Sequence, residues 1–178
     1  LGKLLFYNSN ERSFSTSAQA ELAIVPSERW ELKAAYRWLN VKQTFRTASD
    51  ESVLRDKMFV PKSLALLNAA YAMPYNKWKA DATLQFRGKQ RLPDMIDGNT
   101  LGIYKDKLSP SFVTLNSQVS RNFVNWEYYI GAENLLNYRQ ENPIISAGNP
   151  GNATFDAGQV WGPVVGRTVY VGARYRLQ

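Results

Sequence analysis

The sequence predicts an all-β fold: seven to eight antiparallel strands belonging to a transmembrane β-barrel larger than these 178 residues. Three observations predict it. Apolar and polar side chains alternate with period two over seven segments, the mark of strands with two unlike faces. The connections between those segments alternate strictly between short and long. Aromatic side chains gather at strand ends beside the short connections, at Trp30, Tyr71, Tyr75, Trp78, Phe123, Trp126 and Tyr175, where the interfacial girdle of a barrel belongs.

Taken in order, residues 14–25 set Phe14, Ala18, Ala20, Leu22 and Ile24 against Ser15, Ser17, Gln19 and Glu21. Residues 30–45 set Trp30, Leu32, Ala34, Tyr36 and Trp38 against Glu31, Lys33 and Arg37. The third segment, 63–73, carries Ala65, Leu67, Ala69, Tyr71 and Met73 on one side. Residues 78–91 alternate most cleanly, with Trp78, Ala80, Ala82, Leu84 and Phe86 opposite Lys79, Asp81, Thr83, Gln85 and Arg87. Segment 111–123 places Val113, Leu115, Val119 and Phe123 opposite Thr114, Asn116, Gln118 and Ser120. Segment 126–135 places Trp126, Tyr128, Ile130 and Ala132 opposite Glu127 and Glu133. The last, 166–177, places Val169, Val171, Ala173, Tyr175 and Leu177 opposite Thr168, Arg174 and Arg176. Residues 3–8 read as the tail of an eighth strand.

The connections cover 26–29, 46–62, 74–77, 92–110, 124–125 and 136–165. Two to four residues make hairpin turns. Connections of 17, 19 and 30 residues are long for a compact domain and are the kind that carry function. Strict alternation puts all short turns at one end of the sheet and all long loops at the other. A soluble β-sandwich shows the same alternation with its apolar side inward. Strand lengths suited to a tilted bilayer crossing, one-sided loop lengths and the aromatic ends favour the barrel, with the apolar face on lipid. Short turns then lie in the periplasm, and the last strand runs down to it. Seven strands are odd and single-chain bacterial barrels are even, so the expected domain is 1–178 as the C-terminal part of a larger barrel.

Composition removes several chemistries. The chain has 22 Lys+Arg and 15 Asp+Glu, a net charge of +7, with no Cys and no His. Disulfides, thiol nucleophiles, histidine metal sites and Ser-His dyads are therefore absent from this segment. Glu127 and Glu133, six residues apart on a strand, stand about 20 Å from each other, too far to act as a catalytic pair. No enzyme activity, catalytic residue, metal site or cofactor is expected. The basic residues are scattered, so nucleic acid is not an expected partner; outer-membrane lipid and lipopolysaccharide are. The 92–99 loop, with Asp94, Asp97 and Asn99, fits no standard calcium loop. The mixed-charge run Asp50, Glu51, Arg55, Asp56 and Lys57 reads as an exposed loop.

From Gly131 the chain runs Gly-Ala-Glu-Asn-Leu-Leu-Asn-Tyr-Arg-Gln140, followed by Asn142-Pro-Ile, Phe155-Asp-Ala, Trp161-Gly-Pro163, Gly166-Arg167 and Tyr170-Val-Gly172-Ala-Arg-Tyr175. These strings resemble the C-terminus of a TonB-dependent outer-membrane receptor, and the Tyr-Arg-Gln-Glu-Asn-Pro variant resembles members that import siderophores, cobalamin or haem. The resemblance implies a barrel of about 22 strands, an N-terminal plug inside it and an N-terminal box gripped by the TonB energy-coupling protein; neither plug nor box is in this sequence. It implies import of a metal chelate or cofactor-sized nutrient across the outer membrane of a Gram-negative bacterium, with a passive porin or barrel-based adhesin as the alternative.

Candidate ligand contacts are Arg87, Lys89 and Arg91, which would attract an anionic chelate from the lumenal face, and Arg139, Gln140, Asn142, Phe155 and Trp161 in the last loop. For Phe155 and Trp161 packing against the barrel wall is the competing role, and for the basic residues plug contacts or solvated lumen. Prolines and glycines predict that this last loop is ordered. Gly172, Tyr175 and Leu177 form the glycine-then-apolar pattern of a barrel-assembly signal.

Overall fold

A computed structural model describes residues 11–46, 51–93, 108–152 and 155–177. They form an all-β antiparallel sheet. Eight strands follow in chain order: β1 Phe14–Ser27, β2 Trp30–Arg46, β3 Ser52–Asp56, β4 Ser63–Ala72, β5 Trp78–Arg87, β6 Phe112–Asn122, β7 Trp126–Glu133 and β8 Thr168–Tyr175. Seven of them neighbour one another in the order β1-β2-β4-β5-β6-β7-β8, and β3 pairs with the far end of β2. The short turns fall where the sequence predicts. At 74–76 Pro74 opens a single 3-10 turn in which Tyr75 takes a left-handed conformation (φ 59°). Among the described residues no helix is long and apolar enough to cross a membrane, which leaves strands for any crossing.

The pairing register aligns like with like across the whole sheet. One row reads Leu22, Ala34, Leu67, Leu84 and Leu115 over five strands. Two rows nearer the short turns, the row reads Trp30, Tyr71, Ala80, Val119, Ile130 and Val171. One residue along, on the other face, the rows read Lys33, Asn68, Thr83 and Asn116, then Glu31, Ala70, Asp81, Gln118, Gly131 and Tyr170. A one-residue slip in any strand would exchange its faces, so the apolar pattern itself holds the register.

The apolar face is open to the surroundings. Leu67 is 55% exposed, Val169 63% and Val171 81%. Its aromatic rim at the short-turn end is packed edge to edge: Trp30 on Tyr71 (4.8 Å), Trp126 stacked on Tyr128 (5.8 Å) and Trp126 on Tyr175 (4.9 Å). Trp38 closes the band at the other end of β2, eight positions from Trp30. That is about 27 Å of strand, or roughly 20 Å of height at a tilt near 40°, close to the ≈ 25 Å apolar band of an outer-membrane barrel. Beyond Trp38 the pattern inverts. Asn40, Lys42 and Thr44 continue the formerly apolar side, while Leu39, Val41 and Phe45 take the other.

Most strand ends move by one or two residues from the sequence reading, and three differences have a structural reason. β3 is a strand inside the 46–62 connection, whose charge run reads as an exposed loop; the strand tail read at 3–8 lies outside the described residues. β3 forms because β2 runs on to Arg46 and pairs Phe45 with Val53 and Gln43 with Arg55. The strand read as 78–91 ends at Arg87. Gly88 comes so close to Ser63 that a Cβ would overlap the serine, and Pro61 beyond it has no N–H to continue the ladder. Isolated bridges follow among the described residues: Pro61–Gln90, Met58–Arg91 and Arg91–Leu108. The last strand begins at Thr168, not 166, because Arg167 is held by the base of the preceding loop.

Candidate functional site

The sheet's polar face and the last long connection meet at the long-loop end. There Arg37, Leu64, Arg87 and Phe112 lie in one row across β2, β4, β5 and β6. With Gln19, Leu66, Gln85, Thr114 and Pro163 they line an open groove of about 470 Å³. Its floor is apolar through Leu64, Leu66 and Phe112, and its cations are Arg37 and Arg87. Arg87 donates from one terminal nitrogen to Gln90 Oε1 (3.3 Å), while its Nε is buried with no acceptor among the described residues. Two strand spacings put Arg37 and Arg87 about 10 Å apart.

The connection 134–167 roofs this groove and is fastened at two levels. At the lower level Asn134 caps the end of β7. Its backbone N–H donates to Asn116 Oδ1 (2.9 Å). Its side-chain amide donates to Tyr138 O (2.7 Å), and its Oδ1 accepts from Tyr138 N (3.0 Å). Asn134 and Asn137 both have positive φ, 50° and 56°, which asparagine tolerates better than most residues. Asn137 Oδ1 accepts the Arg167 N–H (3.0 Å), and Arg167 Nε donates to Leu135 O (3.0 Å). A Cβ on Gly166 would overlap Asn137 and Arg139. The strings Glu-Asn-Leu-Leu-Asn-Tyr and Gly-Arg are thus two halves of one clasp.

At the upper level Gln140 is a buried hub. Oε1 accepts from the Trp161 and Gly162 N–H groups (2.8 and 3.0 Å), and Nε2 donates to Gln159 O (2.7 Å). Its own N–H donates to Pro163 O (2.8 Å). Gln90, 1% exposed, donates to Trp161 O (3.1 Å) and joins this hub to the wall. Phe112 stacks on Tyr138 at 4.8 Å and tilts against Trp161 at 5.9 Å. Farther out, Ile145 and Asp156 bridge the two arms of the loop tip, and Asp156 accepts from Gly158 N and Gln159 Nε2 (both 2.7 Å).

The predicted contacts therefore separate. Arg87 lines the groove. Lys89 is exposed beyond the strand end, and Arg91 lies over the Phe45 ring at 5.0 Å with a hydrogen bond to Asp56 O (3.1 Å). Gln140 and Trp161 are buried in the roof. Arg139, Asn142 and Phe155 are exposed on the loop, Asn142 with a positive φ of 49°. Sequence reasoning missed Arg37, Gln90, Ser109 and Gln159. Gln90, Ser109 and Gln159 find their partners in the strand ends and connections the fold brings together, and no motif marks them; for Arg37 the signal was its place on the polar side of β2.

Of the residues read as an assembly signal, Gly172 accommodates the Tyr129 ring, and Gly131 takes the Tyr170 ring in reciprocal fashion; the two rings meet at 6.3 Å. Tyr175 packs on Trp126 in the aromatic rim, and Leu177 is 89% exposed. Near the short turns the polar face is charged: Glu127 accepts from Arg174 (2.8 Å) and Arg176 (3.4 Å), and Lys33 pairs with Glu21 (2.6 Å). Asp94, Asp97 and Asn99 lie outside the described residues. No group of three or more His, Cys, Asp or Glu side chains suited to a metal occurs among the described residues.

No protein-family model matches the sequence, and no curated protein matches it. Among solved structures the chain is similar to the copper transporter OprC, with a TM-score of 0.58 over 90% of this chain at 16% sequence identity. At that identity the likeness is one of fold. The chain spans 23% of the OprC chain. The sheet thus has the architecture of one section of a larger β-barrel wall.

Proposed function

We propose that this chain is the C-terminal part of the barrel wall of an outer-membrane transporter in a Gram-negative bacterium. The intact protein imports a metal chelate or cofactor-sized nutrient, driven by the TonB coupling protein through an N-terminal region outside this sequence. The observation that carries the reading is the two-faced register. A continuous apolar band, exposed and rimmed by aromatics, backs a polar face roofed at one end by a fastened loop. Lipid is the surrounding that makes such a band favourable, at about 25 cal/mol per Å² of apolar surface removed from water.

The polar face then lines a lumen, with its charged lower half toward a plug and its groove toward incoming cargo. A metal cargo is in keeping with the copper transporter whose fold the chain shares. With no His or Cys in this segment and no metal-suited group of His, Cys, Asp or Glu among the described residues, its contact with such a cargo is best made through the organic shell of a chelate. Arg37 and Arg87 meet its negative charge, and Leu64, Leu66 and Phe112 its apolar parts. Arg139, Asn142 and Phe155 face the entrance from the loop. Gln140 and Trp161 hold the roof in place, and Lys89 and Arg91 add positive potential at the rim.

Uptake of candidate chelates by intact cells, with and without the coupling protein, tests the proposal. Accumulation that stops without coupling, while surface binding persists, is the expected result. Uptake that continues unchanged would identify a passive porin, and binding without any uptake an adhesin.

A further inference from the structure

Arg121 breaks the rule of the apolar face. It follows Val119 on the lipid side of β6 and lies in the row Trp78, Arg121, Tyr128, Ala173. Between the level of Trp38 and the short turns, every other outward position of the paired strands is uncharged among the described residues. Its guanidinium carbon stands 4.9 Å from the Trp78 ring and 4.9 Å from the Phe123 ring. The side chain is exposed, and it has no ion pair and no side-chain hydrogen bond among the described residues. Both rings lie within cation–π reach of the guanidinium and neither offers it an oxygen acceptor, so its five in-plane N–H donors remain to be satisfied.

We propose that Arg121, held by Trp78 and Phe123, binds the headgroup of an anionic membrane phospholipid at the short-turn edge of the barrel. This rests on the reading that the apolar face meets lipid. Height supports it: Arg121 lies between the row carrying Tyr71 and the Trp126–Tyr175 pair, so it sits within the aromatic rim where headgroups lie. Chemistry supports it too. A planar fork matches two oxygens of a phosphodiester, and the flanking rings suit the glycerol and first methylenes. Charge selects the lipid class, since a net-negative headgroup such as phosphatidylglycerol gains from an unpaired cation where a zwitterion gains less.

The test uses the full-length protein purified in detergent, titrated with phosphatidylglycerol or phosphatidylethanolamine and followed by native mass spectrometry. Wild type should hold phosphatidylglycerol more tightly. Arg121→Gln should lower that affinity about fivefold, the effect of one interfacial cation, and Lys62→Gln at the opposite end should leave it unchanged. Equal binding of both lipids by wild type, or undiminished phosphatidylglycerol binding by Arg121→Gln, would overturn the proposal. The wild-type comparison decides by itself if Arg121→Gln does not assemble. A protein that is not a membrane barrel would show no heat-dependent gel shift and retain neither lipid, a result distinct from equal retention of both.

Discussion

Replacing Gly172 by alanine puts one methyl where the Tyr129 ring lies. An added Cβ overlaps the ring atoms around its hydroxyl end, so the ring must swing aside. Its edge-on contact with Tyr170, 6.3 Å between centroids at 62°, must break. Overpacking of this kind costs about 1–3 kcal/mol, and loss of the aromatic pair about 0.5–1.5 kcal/mol. The expected destabilisation is therefore about 1.5–4.5 kcal/mol. Tyr129→Ala removes the ring and with it the clash. In the double variant Gly172→Ala should then cost close to nothing beyond Tyr129→Ala, a coupling of at least about 1 kcal/mol. Urea unfolding of the full-length protein in lipid vesicles, followed by tryptophan fluorescence, reads all four corners of this cycle. Strict additivity would refute the packing argument, and would leave Gly172 with some other role in assembly.

Three further outcomes follow from the same contacts. Gln140→Ala strips the Trp161 and Gly162 N–H groups of their acceptor; at about 1–3 kcal/mol each, those amides should exchange with deuterium at least about fivefold faster while the strand amides of β5 stay protected. Arg167→Ala opens the clasp to Leu135 O and should loosen 134–140 to proteases without changing barrel yield; unchanged cleavage would show that Asn134 suffices. Leu84→Arg should impair assembly by about 2–4 kcal/mol, the cost of a charge at mid-membrane, whereas Thr83→Arg, one residue along on the polar face, should be tolerated; equal tolerance would contradict the orientation.

Strands and turns were legible because their signals are local. Period-two alternation in 78–87, proline in the 74–77 turn and the paired lengths of the connections need no knowledge of neighbours. β3 was hidden by its own composition: Arg55 and Asp56 look like a solvated loop until Phe45 and Val53 are seen opposite each other. Arg121 was passed over because the residues around it, Val119 and Phe123, fit the apolar pattern so well. The roof was half visible. Its prolines and glycines announced order, and Gln140 and Trp161 stood out by type. What they do depends on partners that only the fold supplies, such as the bond from Gln90 to Trp161 across 71 residues. The clasp shows the opposite case. Asn134, Asn137, Gly166 and Arg167 were noticed as strings, and their geometry gives the physical reason: two left-handed asparagines, a glycine with no room for a side chain and an arginine that locks the ends together.

The most direct test of the account asks which face of the sheet meets lipid. This segment contributes no native thiol, so spin labels can be attached to single cysteines placed along β4, β5 and β6 of the full-length protein in bilayers. Collision rates with oxygen, which concentrates in lipid, and with a water-soluble nickel chelate are then compared at Leu67, Leu84 and Leu115 and at Asn68, Thr83 and Asn116. The account predicts high oxygen and low nickel accessibility at the first three and the reverse at the second three, with period two along each strand. Nickel access at Leu84 equal to that at Thr83 would contradict it.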